Sequence, residues 1–165
     1  MIKSCREIRN DQDCDELQKD LLALAKWEEL WGMSFHPDKC KVLRVVRSKK
    51  HRMYKYHLKG HQLEAADTTK YLGVDLSYNL SWNHHIDCTV KKENSMLGFL
   101  KRNLKIGNQD TKSVAYFSLV RPNLEYCVSI WNPYSIQSIK KLEIVQRRAA
   151  RYVTNRYQQC HRHVR

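Results

Sequence analysis

The sequence lacks any apolar run approaching the roughly 20 residues that a membrane-spanning helix needs. Its six cysteines, Cys5, Cys14, Cys40, Cys88, Cys127 and Cys160, form no C-x-x-C pair, which argues against a zinc ribbon or finger. The opening Met1-Ile2-Lys3-Ser4-Cys5-Arg6 leads into polar residues, so no secretory signal is expected. Reduced thiols in the cytoplasm or nucleus follow as the expected setting, without a membrane partner. The tract Cys160-His161-Arg162-His163 has no second pair of ligands at usable spacing, and His84-His85 reads as a solvated helix start. No metal site and no cofactor are therefore expected in this chain. No internal repeat is visible.

What the chain does have is basic charge, unevenly placed. Lys and Arg number 30 against 17 Asp and Glu, a formal net charge of +13. Residues 1–40 carry six basic and nine acidic side chains, whereas residues 41–165 carry 24 basic and eight acidic, a net of +16 over that stretch. A positive field of this size attracts polyanions, of which nucleic acid is the usual one. With 165 residues of which 42% are hydrophobic, the chain is long enough for one or two small domains with a core, and the composition argues against global disorder.

Periodicity divides the chain into three parts. Residues 1–10 read as a truncated lead-in. Leu17, Leu21, Leu24, Glu28 and Trp31 fall near one helical face, all but Glu28 apolar, which predicts a helix from about Asp13 to Trp31. Asp13 and Glu16 have the spacing of a capping box, and Gly32 and Pro37 stop the helix. A strand-rich block follows, over 39–46, 54–58, 61–63 and 70–76, read as a small antiparallel sheet of three or four strands. The basic run Arg47-Ser48-Lys49-Lys50-His51-Arg52 lies between strands, as a solvated loop or a phosphate contact. Helical spacing then continues to the end: Asn83 to Leu104 with Ser81 as cap, a second helix capped by Asp110 or Thr111, a break at Pro122, and helix again over 123–131. A last helix is capped by Ser135 and carries Ile139, Leu142, Val145, Ala149 and Tyr152 on one face. Segregated strands and helices make the expected fold class α+β, with a helix-and-sheet domain over 1–80, a helical bundle over 81–155 and a basic tail over 156–165.

Several blocks carry a resemblance. They are Trp31-Gly32-Met33 with His36-Pro37-Asp38-Lys39-Cys40-Lys41-Val42-Leu43; Lys70-Tyr71-Leu72-Gly73-Val74 followed by Leu80-Ser81-Trp82; Gly98-Phe99-Leu100-Lys101-Arg102-Asn103-Leu104; and Tyr116 to Cys127 with Trp131-Asn132-Pro133. Together, over roughly residues 15–155, they resemble the end of a reverse transcriptase from a non-LTR (LINE-type, jockey-like) retrotransposon. The resemblance implies the last part of a polymerase palm followed by the thumb. The parent enzyme is an RNA-directed DNA polymerase using Mg²⁺ and nucleoside triphosphates. It holds two metal ions about 4 Å apart with aspartates from a palm strand and a neighbouring Asp-Asp hairpin. Neither pattern occurs here, so the chain is expected to be an inactive fragment. Asp11, Asp13, Asp15 and Asp20 lie close in sequence but at a helix start, where acids favour the dipole.

By the same resemblance Lys39 stands at the motif D lysine, a general acid of the kind worth roughly 10²–10⁴-fold in rate; here it is a relic. Tyr71, Leu72 and Gly73 stand at the primer grip, where glycine permits close backbone approach; a bulge in a buried strand is the other reading of Gly73. Lys101, Arg102, Lys140, Lys141, Arg147, Arg148 and Arg151 are the expected nucleic-acid contacts, to phosphate rather than to bases. Trp82, Trp131, Tyr126 and Tyr134 are either core anchors or base-stacking platforms. Three functions remain open: a retroelement remnant that binds template–primer non-specifically, a small interaction protein that self-associates through the palm-facing surface bearing Trp27 and Trp31, and a remnant with no function.

Overall fold

The computed structural model describes residues 3–36, 39–46, 53–105 and 108–155. The run 47–52, the tail 156–165 and Pro37 lie outside the described residues. The fold is an α+β mix of helices and short strands, and the chain forms two compact units, residues 1–70 with 77–80 and residues 71–76 with 81–165. Among the described residues no helix is long and apolar enough to cross a membrane.

The first unit opens with α1, Asp11–Leu30. Its N-cap is Asn10, not Asp13: the Asn10 side chain accepts from the Asp13 amide at 2.9 Å, and the Asp13 carboxylate accepts from the amides of Arg9 and Asn10. The capping box is thus set three residues earlier than the Asp13–Glu16 spacing predicts. A side chain caps only from extended backbone, and Asn10 has it, with ψ near 177°. At the other end Gly32 takes φ +61°, and the amides of Gly32 and Met33 return to the carbonyls of Glu29 and Glu28. This double return needs a residue free to turn left-handed, which is why glycine follows the last turn.

The strands are short: β1 Lys41–Leu43, β2 His57–Leu58, β3 His61–Gln62, β4 Glu64–Ala66, β5 Thr68–Tyr71 and β6 Val74–Ser77. They pair two by two rather than as one antiparallel sheet, and β1 runs parallel to β4, with Lys41 opposite Glu64 and Leu43 opposite Ala66. Parallel pairing requires a long crossover, and residues 44–63 between these strands supply it. The antiparallel β2–β3 pair turns through Lys59-Gly60, whose φ values of +51° and +77° match the twist that tight hairpins favour.

The unit's core gathers Ala25, Tyr56, Leu58 and Leu63, with Leu17, Leu21, Phe35, Cys40 and Val42 packed against them. Gln18 fastens α1 to β2 by donating to the His57 carbonyl at 2.8 Å and accepting from the His57 amide at 2.9 Å. Glu28, the polar exception on the apolar face, is fully buried. Its Oε1 accepts from the Lys59 ammonium at 2.7 Å and from the Phe35 amide. Burial pushes this carboxyl's pKa up, but the Lys59 and Phe35 donors outweigh it and the net shift is downward.

The second unit holds five helices among its described residues: α2 Asn83–Asn103, α3 Gln109–Leu119, α4 Arg121–Glu125, α5 Val128–Trp131 and α6 Ile136–Val153. Their caps differ from the expected ones in detail. Trp82, not Ser81, occupies the α2 N-cap; the Ser81 hydroxyl accepts from the Asn83 amide at 3.4 Å. Asn108 caps α3 by accepting from the Thr111 amide at 2.8 Å. Pro122 sits in the first turn of α4, where its missing amide costs nothing. The stretch 123–131 is split rather than continuous, because Cys127 adopts left-handed φ of +53° between α4 and α5.

Leu97 and Leu100 of α2, Val120 and Leu124, and Val145, Ala149 and Tyr152 of α6 form the main cluster. A second cluster packs Val74, Ile86 and Trp131, flanked by Trp82, Val90, Cys127 and Leu142. The main cluster follows from apolar residues three and four apart on α2 and α6.

Candidate nucleic-acid interface

The helix α6 has two kinds of basic side chain. Its buried stripe is Ser138, Val145, Ala149 and Tyr152, with Leu142 half-buried. At 3.6 residues per turn, Lys140, Arg147 and Arg151 fall opposite that stripe, whereas Lys141 and Arg148 fall along its edge. The contacts agree with this division. Lys141 pairs with Asp87 of α2, and Arg148 donates to Asn94 Oδ1 of α2 at 2.7 Å. These two tie α6 to α2. Among the described residues Lys140 and Arg151 show no carboxylate partner. Arg147 shares Glu143 at 2.8 Å, an exposed pair one turn apart of the kind worth little in water. The five α6 residues expected from the sequence to contact phosphate are therefore an outward row of three and a structural edge of two.

Lys101 and Arg102 lie in the last turn of α2. Lys101 lines an open depression of about 360 Å³ together with Leu104, Lys105, Lys112, Tyr152 and Asn155. Sequence reasoning singled out neither Lys105 nor Lys112. Lys112 is buried; its Nζ donates to Asn155 Oδ1 at 2.5 Å and lies 5.4 Å from the Tyr152 ring centroid. Lys101 and Lys105 border the depression, whereas the Lys112 ammonium is buried against Asn155 and the Tyr152 ring, and among the described residues the lining holds no carboxylate. Lys112 falls on the face of α3 opposite the apolar Val114, so periodicity alone gave no reason to single it out.

Tyr71 ends β5, and Leu72 and Gly73 form the β5–β6 turn. Leu72 and Gly73 take φ of +46° and +86°, so this is a hairpin turn and not a bulge. The close approach at Gly73 is to the chain itself: a Cβ there would meet the Tyr126 ring at 3.1 Å, and the Tyr126 hydroxyl donates to the Leu72 carbonyl at 2.8 Å. Of the four aromatics, Trp131 is buried and Trp82 half-buried, whereas Tyr126 and Tyr134 are exposed. Lys39, in the first unit, precedes β1 and is exposed; its amide donates to the His36 carbonyl at 3.0 Å.

The acids at the start of α1 do not fit a two-metal polymerase site. Asp13 is consumed in the cap, Glu16 and Asp20 pair with Arg6, and Asp15 accepts from the Tyr54 hydroxyl at 2.8 Å. A different set does converge in the second unit: a carboxylate oxygen of Asp75, a His84 ring nitrogen and Cys88 Sγ lie within 4.8 Å of one another. The four-residue step from His84 to Cys88 was legible in the sequence, but the third member comes from a strand.

No family model matches the chain, and no solved structure matches it. Among curated proteins, the chain is 25% identical over 146 residues to a probable RNA-directed DNA polymerase from transposon BS of Drosophila melanogaster. The match covers 84% of this chain and 16% of that protein, so the chain spans under a fifth of its relative's length. The similarity supports a reverse-transcriptase-related origin.

Proposed function

We propose that this chain is the palm-end and thumb portion of a non-LTR, jockey-like reverse transcriptase, and that its helical unit grips a template–primer duplex by the phosphate backbone. The observation that carries the reading is the outward row Lys140, Arg147 and Arg151 on a helix whose opposite face is buried. Lys101 and Lys105 at the rim of the depression support it, as does the similarity to a transposon polymerase. Arg102, beside Lys101, extends the same basic surface. Tyr71, Leu72 and Gly73 take the primer-grip position on this reading, and Lys39 that of the motif D lysine. These residues supply grip rather than chemistry.

Phosphate contacts are sequence-blind and salt-sensitive, each adding about 0.9 to the log–log salt slope on duplex DNA. Fluorescence anisotropy with primer–templates of unrelated sequence should therefore give equal affinities that fall steeply with salt. The triple variant Lys140→Ala, Arg147→Ala, Arg151→Ala should reduce the slope by about 3. Absent or salt-insensitive binding, or an unchanged slope in the triple variant, counts against the grip.

A second reading is favoured by the end of α1, where Trp27, Leu30 and the C-cap residue Trp31 are exposed, the two indoles 6.3 Å apart. Such a patch suits a second copy of the chain. Sedimentation velocity should then show a concentration-dependent dimer that Trp31→Arg abolishes. A monomer at all concentrations, with no hydrophobic-dye binding, removes this reading.

A further inference from the structure

The convergence of Asp75, His84 and Cys88 plays no part in the grip. His84 and Cys88 stand four apart at the start of α2, so the helix stacks their side chains on one face. Cys88 Sγ lies 3.6 Å from His84 Nε2. Zinc bonds of about 2.3 Å to sulfur and about 2.05 Å to nitrogen, at a tetrahedral angle, place those two atoms about 3.6 Å apart. The pair thus already has the separation of two ligands on one ion. The third ligand is less close: the atoms spread up to 4.8 Å, against about 3.5 Å on a tetrahedral edge. A side-chain rotation of Asp75 that moves its oxygen by about 1 Å closes the set.

The carboxylate has a support behind it. His85 is buried, with Nδ1 3.3 Å from Asp75 Oδ2 and 3.2 Å from the Asp75 amide nitrogen, and its ring meets Trp131 edge-on at 5.2 Å. A neutral ring can serve only one of these contacts at Nδ1, accepting from the amide or donating to the carboxylate. The second choice is the outer partner that orients a carboxylate ligand at a metal.

We propose that Asp75, His84 and Cys88 bind one thiophilic divalent cation, with Zn²⁺ the best match, that His85 is a positioning residue, and that the fourth vertex is open to water. A thiolate with an imidazole selects zinc over magnesium, so this site is separate from polymerase metal chemistry. The ion clips β6 to the start of α2 within one unit. It therefore stabilises that unit when bound.

The 3.6 Å contact also suits a weak thiol–imidazole hydrogen bond, and the test separates the two. The full chain, reduced and metal-free, is titrated with Co²⁺ alone. A single equivalent should give intense tetrahedral visible bands and a thiolate-to-cobalt charge-transfer band, both displaced by Zn²⁺. Cys88→Ser should abolish the charge-transfer band. His84→Ala should weaken cobalt binding by about 100-fold or more, and Asp75→Asn by about 10–100-fold. A variant with Cys160→Ser, His161→Ala and His163→Ala should keep the full spectrum. An octahedral spectrum, a charge-transfer band surviving Cys88→Ser, its loss in the tail variant, or unchanged affinity in Asp75→Asn overturns the site.

Discussion

Trp131→Ala is expected to destabilise the helical unit by about 3–5 kcal/mol, the cost of emptying a large aromatic from a core that relaxes only in part. Trp131 is 1% exposed, packed with Val74 and Ile86 and flanked by Trp82, Val90, Cys127 and Leu142. Its indole Nε1 also donates to the Tyr126 carbonyl at 2.6 Å, holding the turn around left-handed Cys127. Trp131→Phe retains much of the apolar area and loses that donor, so it should fall between wild type and alanine. Urea unfolding followed by hydrogen exchange in α2, α5 and α6 measures both. Because the ring is inside, neither variant should change binding to single-stranded nucleic acid while the unit remains folded. A loss below about 0.5 kcal/mol, the ordinary range for a surface change, would show that the indole is not a core anchor.

Trp131 illustrates which parts of the structure were legible beforehand. Long helices with apolar residues three and four apart, α2 and α6, follow from periodicity because their burial is set by their own sequence. Both readings of Trp131 were open from the sequence, since burial of an aromatic near a proline depends on what packs over it. The split at Cys127 had no signal, because a left-handed cysteine carries none of the marks of glycine. The parallel pairing of β1 with β4 is long-range and leaves no local trace. Helix starts were misplaced by one to three residues because Asn, Asp, Ser and Thr compete as caps and only backbone geometry decides among them. At the basic face the residue types were legible, but the division into an outward row and an α2-facing edge needed the partners Asp87 and Asn94. Asp75, on a strand, has no spacing in the sequence that links it to His84 and Cys88 on a helix.

Glu93 went unnoticed although it falls at helical spacing between Ile86 and Leu97. It is fully buried on α2, and among the described residues neither carboxylate oxygen has a hydrogen-bond partner. Burial raises its pKa, and the neighbouring Lys92 only partly opposes this. The sign of the pH effect follows. Below the ordinary carboxyl pKa, Glu93 is protonated in both folded and unfolded chains. As pH rises past that value the unfolded chain ionises freely while the folded one resists. Stability contributed here is therefore lost with rising pH until the raised folded pKa is passed. Glu93→Met keeps the unbranched shape and removes the unsatisfied oxygens, so at neutral pH it should stabilise the helical unit by about 1–3 kcal/mol. The gain should shrink toward pH 4. Glu93→Gln should abolish the pH dependence yet recover less stability, since its amide remains buried without partners. Chemical denaturation of wild type and both variants across pH 4–8 checks this. A methionine variant less stable than wild type, or a difference that does not vary with pH, would mean that Glu93 has a partner in solution and that this helix face opens to water.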